Sequence, residues 1–355
     1  MNSAGARCAV GRGSGALYSP SSMTQEPVVR MDDLYPWRPP ARSHALGHYP
    51  ARDKVMPLKD AIGRWVSSGA TVALGTCLEQ MIPFAAAHEL IRQRIGDLTL
   101  VGPVSDIVFD QMIGAGLARR VAAAWVGNVM MGSAYCFRRA VEQGKPRALE
   151  VVDFSNFTLA QALHAAAIGA PFLPTRSALG AEWIGRNPWL KPVDNPLGGG
   201  PVLAVKPLQP DVTVVHVQRA DPRGNALMWG SLGITADAAR ASRAVIVTAE
   251  EIVTPEQLRR DPNRVVVPGV VVAAVCEARW GAHPSPVQGY YRRDHEAYAD
   301  YHGRTKTEEG YASWRAEWVD EVKDLGGYLA RLGNERVASL IPMEHHLAEP
   351  VDYGY

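Results

Sequence analysis

The residues best placed to do chemistry fall in four turns. The stretch GATVALGTCLEQMIP (69–83) carries an apolar run of strand length, 70–74, into Gly75, Thr76 and a polar loop, and Pro83 then opens a helical pattern. A strand, a glycine and a helix start is where backbone amides meet phosphates, yet the glycine spacing of a dinucleotide turn and the Lys-Ser/Thr pair of a P-loop are both missing. PFLPTRSALGAEW (171–183) is braced by prolines and offers Arg176, Ser177 and Gly180 as contacts for an anion or an amide. HVQRADPRGNALMWG (216–230) leaves a strand and turns sharply at Asp221-Pro222 and Gly224-Asn225. WGAHPSPVQGYY (280–291) gathers His283, Ser285, Gln288 and Gly289 into one short loop, with Ser and Gln as donors and Gly for close backbone approach.

Regular alternation must position these turns. Residues 57–69 space Leu58, Ile62, Trp65 and Val66 on one helical face and end at Gly69. Strands are expected at 70–74, 98–101, 121–126, 148–152, 212–217, 244–247 and 270–275. Helices are expected at 83–93, 107–115, 134–143 and 157–168, with a looped excursion before 212. Strand, helix, strand at this spacing implies crossovers, hence an α/β fold with an open, mostly parallel sheet flanked by helices. In such sheets ligands bind beyond the carboxyl ends of the strands, which is where the turns lie.

Composition narrows the class. With 355 residues, 47% hydrophobic, 21% charged and a formal charge of +1, nothing electrostatic points to nucleic acid. The longest nearly uncharged apolar run, 265–276, falls short of the roughly 20 residues that span a bilayer, so no membrane segment is expected. The cysteines Cys8, Cys77, Cys136 and Cys276 lack CxxC spacing, which argues against a zinc site or a disulfide framework and fits a reducing cytoplasm. Residues 1–50 are rich in Ser, Gly, Pro and Arg without a sustained period and read as a disordered tail or an over-extended start, with Met23 and Met31 as alternative starts. The GRGSG at 11–15 lies in that tail with no strand before it. The folded domain is expected over 51–333, with a C-terminal tail at 334–355.

Several side chains have a structural reading beside the chemical one. His216 ends an apolar strand and reads as a buried, hydrogen-bonded histidine. Glu250 and Glu251 close a strand, where a carboxylate paired with an arginine or with amides holds the fold. Cys77 has no basic neighbour in sequence and is expected to be inert. Glu79, a loop carboxylate, is expected to face solvent. Asn156 in DFSNF is neutral, offers no base to a hydrolytic water, and can serve as a cap. Arg176 can hold a substrate carboxylate or pair with a surface acid such as Glu182.

Many segments in order carry a family resemblance: KDAIGRWVSSGATVALG, HVQRADPRGN, VTAEEIVTPEQLRRDPNRVVVPG and WGAHPSPVQGYY. Together they resemble the alpha subunit of glutaconate CoA-transferase, a family I CoA-transferase, over nearly everything from 55 to about 333. The resemblance implies coenzyme A as acyl-CoA co-substrate, no metal, and a beta subunit of related fold in a heterodimer or a dimer of heterodimers. The family's alpha half carries a signature of strand, Gly-Gly-Phe, three residues, Gly, any residue, Pro, whose glycine amides lie along CoA. Here Gly75 and Pro83 match, while Thr76, Cys77 and Met81 replace Gly, Phe and Gly. By this resemblance Gly75, Thr76 and Pro83 are the candidate CoA contacts. Arg176, Ser177, Asn156, His283, Ser285, Gln288 and Gly289 are the candidate contacts of the acyl group and acceptor acid.

The implied reaction needs a carboxylate nucleophile, which in the family sits in the beta subunit within a Glu-Asn-Gly or Glu-Ser-Gly type turn. No such turn occurs here; the one Glu-Gly, Glu309-Gly310, lies in a polar helical segment. The chain is therefore expected to contribute no nucleophile and to be inactive alone. Relatives of the same fold hydrolyse or decarboxylate CoA esters, including a ring-opening hydrolase of steroid catabolism, so hydrolase or decarboxylase is the alternative. A non-catalytic sensor of CoA esters is a third reading, and no helix-turn-helix or basic patch accompanies it.

Overall fold

The computed structural model describes residues 49–342 apart from residue 51, so nearly all of the expected N-terminal tail, the GRGSG stretch and residues 343–355 lie outside the described residues. The strands are β1 (Thr71–Ala73), β2 (Leu98–Val104), β3 (Ala118–Trp125), β4 (Glu150–Asp153), β5 (Leu173–Thr175), β6 (Leu190–Val193), β7 (Val202–Val205), β8 (Val212–Ala220), β9 (Ala226–Leu227), β10 (Ala244–Ile252), β11 (Val265–Val267) and β12 (Val272–Glu277). The helices are α1 (Leu58–Trp65), α2 (Phe84–Arg92), α3 (Asp106–Gly114), α4 (Tyr135–Gln143), α5 (Asn156–Ile168), α6 (Thr235–Ala241), α7 (Pro255–Arg259), α8 (His295–Arg304), α9 (Glu308–Arg315), α10 (Leu325–Leu332) and α11 (Asn334–Leu340).

The central sheet runs β12-β10-β8-β1-β2-β3-β4, and every pairing along it is parallel. Parallel strands buried on both faces need continuous apolar sequence, and β8 (VTVVHVQRA) and β10 (AVIVTAEEI) supply it. Helices cover both faces. Val72, Leu74, Leu90, Leu100 and Phe109 belong to the core shared with α2 and α3, while Ala73, Val101, Ala122, Leu159 and Leu163 belong to the core under α5. Local signals agree with tertiary ones at α5, where Ser155 and Thr158 form a reciprocal capping box and Gly169 ends the helix in the left-handed region.

Each strand and helix expected from the alternation is present, with ends shifted by a few residues. The looped excursion instead contains a small antiparallel sheet, β5-β7-β6. The segment 216–230 carries strand on both sides of its turn: β8 continues to Ala220 and returns as β9, and the Asp221 carboxylate caps the intervening turn through the amides of Arg223 and Asn225. The segment from 334, set apart as a tail, opens with α11, which buries Leu340 and pairs Arg336 with Asp294.

Candidate functional site

The loop that follows β1 is built into the protein from three sides. Gly75 has φ +67°, and a Cβ there would lie 2.7 Å from the Ser105 hydroxyl, so both backbone sign and space demand glycine. Thr76 is buried; its hydroxyl bonds Thr235 Oγ1 at 2.8 Å and its carbonyl accepts from the Ile234 amide at 2.9 Å. Gln80 donates to the Ser231 carbonyl at 2.8 Å. On the other flank, Met81 N donates to Pro286 O at 3.0 Å and Ile82 N to Ser285 Oγ at 3.0 Å. Ser285, itself fully buried, donates its own hydroxyl hydrogen bond to the Ala282 carbonyl at 2.7 Å. The loops 75–83, 230–235 and 281–291 thus meet at the carboxyl edge of β1, the position the sequence picks out for a ligand.

The helix that follows does not leave its amide end open. Pro83 stands just ahead of α2, and the Ala85 amide, one of the first in the helix, already donates to Gly281 O at 2.9 Å. An anion at this helix start would have to compete with that carbonyl. Cys77 is buried against Thr235, and burial pushes its thiol up to about 12, so it is inert as expected.

A buried ion pair lies behind the loop. Asp106 follows β2 and has φ +46°, a left-handed conformation that is uncommon away from glycine. Its carboxylate takes a 2.7 Å hydrogen bond from Arg293 Nη2, both side chains being inaccessible to solvent, and the guanidinium lies 3.8 Å from the Tyr298 ring centre. Burial raises the Asp106 carboxyl above the usual range, against the pull of Arg293. Arg293 Nε and Nη1 are buried without a hydrogen-bond partner. Glu79, expected to face solvent, is instead half-buried and close enough for its charge to act on Arg293. The sequence gives no hint of this cluster, because Asp106 and Arg293 are 187 positions apart.

The other candidates divide. His283 is buried and points away from the opening loop. It bonds the Tyr328 hydroxyl at 2.8 Å and Asp294 Oδ2 at 3.0 Å. Burial would raise the Asp294 carboxyl, but the hydrogen bonds from His283 and Arg336 outweigh it and hold it well below the usual range. Gln288 packs its side chain against Gly230, and Gly289 lies at a cleft with Arg219, Arg279 and Tyr290. Asn156 is exposed at the first turn of α5, beyond the edge strand β4; the cap is Ser155. Arg176 and Ser177 follow β5 in the small sheet. Arg176 is exposed and donates to the Gly199 carbonyl, while the Ser177 amide donates to Thr175 Oγ1. Glu250 accepts from Tyr291 (2.7 Å) and the Trp280 amide (2.8 Å), and its other contact is His216 Nε2 at 2.8 Å; Glu251 accepts from Arg219. Both glutamates are thus paired within the chain, and His216 is buried.

The chain matches the sequence profile described as coenzyme A transferase over residues 55–278. It belongs to that family. It is 40% identical over 279 residues to the A subunit of 3-oxoadipate CoA-transferase from Pseudomonas knackmussii, covering 79% of this chain and 98% of that one. It is 37% identical to the A subunit of glutaconate CoA-transferase from Acidaminococcus fermentans, over 81% and 94% of the two chains. The crystal structure of glutaconate coenzyme A-transferase from the latter organism superposes with a TM-score of 0.77 at 36% identity, over 81% of this chain and 96% of that one. Within the family's Gly-Gly-Phe signature the most informative departure is Met81. It stands where the resemblance expects glycine and adopts φ +49°, a left-handed conformation that a side chain makes costly.

Proposed function

We propose that this chain is the A subunit of a heteromeric acyl-CoA:carboxylate CoA-transferase acting on a dicarboxylic acyl group, with the nucleophilic glutamate on a B subunit. Two A-subunit relatives, 40% and 37% identical, carry this reading, because each is named for a dicarboxylic acid. The chain's own site supports it. The residues gathered at the end of β1 shape a surface and offer backbone groups. Glu250, beside the loop 281–291, is engaged by the three contacts above.

In the proposed cycle a B-subunit carboxylate attacks the acyl-CoA thioester carbon, the C–S bond breaks, and an acyl-glutamyl anhydride and CoA thiolate result. The thiolate attacks the glutamyl carbonyl, expelling the first acid and leaving a glutamyl-CoA thioester. The second acid then repeats both steps in reverse and departs as the new acyl-CoA. The role of this chain is to hold CoA along the loop 75–83 and to orient the acid, with Arg176 on its distal carboxylate, where a planar fork suits a carboxylate better than an ammonium does. Asn156, Ser177 and the loop 281–291 complete the wall.

The test is to co-purify the chain with its B subunit, incubate the complex with acyl-CoA and no acceptor, and reduce with borohydride. A glutamyl-CoA adduct on the B subunit, ping-pong kinetics and no activity from the lone chain are expected. Steady CoA release into water with no trapped adduct would replace this reading with the hydrolase.

A further inference from the structure

The cleft at Gly289, Arg219 and Arg279 has about 370 Å3 of space and opens at the carboxyl ends of the outer strands. Strand register places it relative to the opening loop. β8 lies beside β1 with Thr213 opposite Ala73, but it runs on to Ala220, and β10 and β12 run on beyond β1 with it. From Thr213 to Arg219 is six residues, about 20 Å at the rise of a parallel strand, so these strands stand as a wall past the end of β1. Glu251 lies opposite Arg219 and Glu277 opposite Ala249, so Arg279, two residues past β12, comes up beside that pair.

The charged groups of the cleft differ in how far they are committed. Arg219 donates to Glu251 at 3.0 Å, and its guanidinium lies 5.7 Å from the Trp229 ring centre, which fixes it in place. Glu250 also lines the cleft, but its side chain is buried and held by Tyr291, the Trp280 amide and His216. Arg279 is exposed, and among the described residues its side chain has no ion pair or hydrogen bond. Gly289, at φ +83°, lines the cleft without a side chain, and the half-buried Tyr290 adds a flat ring.

An uncommitted guanidinium, a second one held beside it and an aromatic ring suit a phosphorylated nucleoside, because the planar fork matches phosphate oxygens and the ring offers a face to the base. Resting on the CoA-transferase reading above, we propose that this cleft binds the nucleotide end of coenzyme A, its phosphates on Arg279 and Arg219 and its base along Tyr290. The pantetheine arm then runs back along the wall, and the thioester reaches the loop 75–83.

Adenosine 3′,5′-bisphosphate, which has the nucleotide but no arm, is titrated calorimetrically into the full chain. One saturable site is expected. Arg279→Glu, a change at an exposed position, should leave the thermal midpoint in place and weaken the nucleotide at least about tenfold. Glu251→Gln removes the carboxylate that competes for Arg219 and repels phosphate, and should tighten the nucleotide about threefold or more. In the complex with the B subunit, Arg279→Glu should raise KM for acyl-CoA at least about tenfold, keep kcat, and leave kcat/KM for the corresponding acyl-pantetheine unchanged. No saturable binding, wild-type affinity in Arg279→Glu, no tightening in Glu251→Gln, or equal losses with acyl-CoA and acyl-pantetheine would each overturn the proposal. A wild-type complex that transfers no CoA would overturn the transferase reading instead, and the titration would still decide the cleft.

Discussion

The loops 281–291 and 194–200 are both rich in glycine, proline and polar residues, yet they end in opposite conditions. In the first, Ser285 and His283 are buried and each is bonded twice, and the loop is stitched to the one after β1. In the second, Leu197 is 94% exposed and Gly198, Gly199 and Gly200 all have positive φ. Arg176, which bonds that loop, is exposed as well. Polar side chains in the buried loop are consumed in fixing a shape, so what they offer a ligand is backbone. In the exposed loop Asn195 is spent on the loop's own backbone, and the exposed donor beside it is Arg176. Mutations should therefore separate the regions, with the first responding in stability and the second in activity.

The sharpest contrast is expected at the ion pair behind the buried loop. Asp106→Ala strands Arg293 without its counter-charge and should cost about 3–5 kcal/mol, read by urea denaturation of the full chain. A loss below about 1 kcal/mol would mean that water reaches the guanidinium and that the buried region is looser than described. Ser285→Ala comes next. It removes the acceptor of the Ile82 amide and should cost about 1–3 kcal/mol while lowering affinity for CoA, because the loop 75–83 loses one anchor.

Acid should probe the same region more gently. The folded carboxyl of Asp294 lies below its unfolded value of about 3.9, so its contribution is fully present above that pH and is lost as pH falls through the folded value. Below about pH 4, stability of the wild type should therefore fall more steeply than that of Asp294→Asn in parallel denaturation curves. Coincident slopes would remove the Arg336–Asp294–His283 chain as a stabilising device.

The smallest stability change is expected in the open region. Arg176→Ala should alter stability by no more than about 0.5 kcal/mol. In the complex it should lower kcat/KM for a dicarboxylic acyl-CoA by roughly ten- to a hundredfold and spare a monocarboxylic one of similar length. Equal losses for both substrates would assign Arg176 to CoA or to the fold.

The parallel core was legible because β8, β10 and β12 announce themselves as apolar runs broken by glycine, proline and polar turns. Loop positions followed from the same alternation. The destinations of side chains did not. Nothing local tells that Ser285 meets the Ile82 amide, that His283 turns toward Tyr328, or that Glu79 falls within reach of Arg293, because each depends on how distant segments pack. The excursion before β8 was missed as a sheet because its strands are short and interrupted by Pro174 and Pro192. Met81 was legible only as a departure from a pattern; its positive φ belongs to the backbone and had no local signal.

The bond from Ile82 to Ser285 closes a separation of 203 residues. At a synthesis rate of about 5–20 residues per second, the opening loop leaves the ribosome roughly 10–40 s before its anchor exists. For that interval α2 has neither the Gly281 carbonyl over the Ala85 amide nor the serine under its approach. Phe84, Leu90 and Ile91, buried in the finished protein, wait exposed alongside. The site is thus among the last parts of the chain to become native, and its early half is the stretch most in need of protection while the rest is being made.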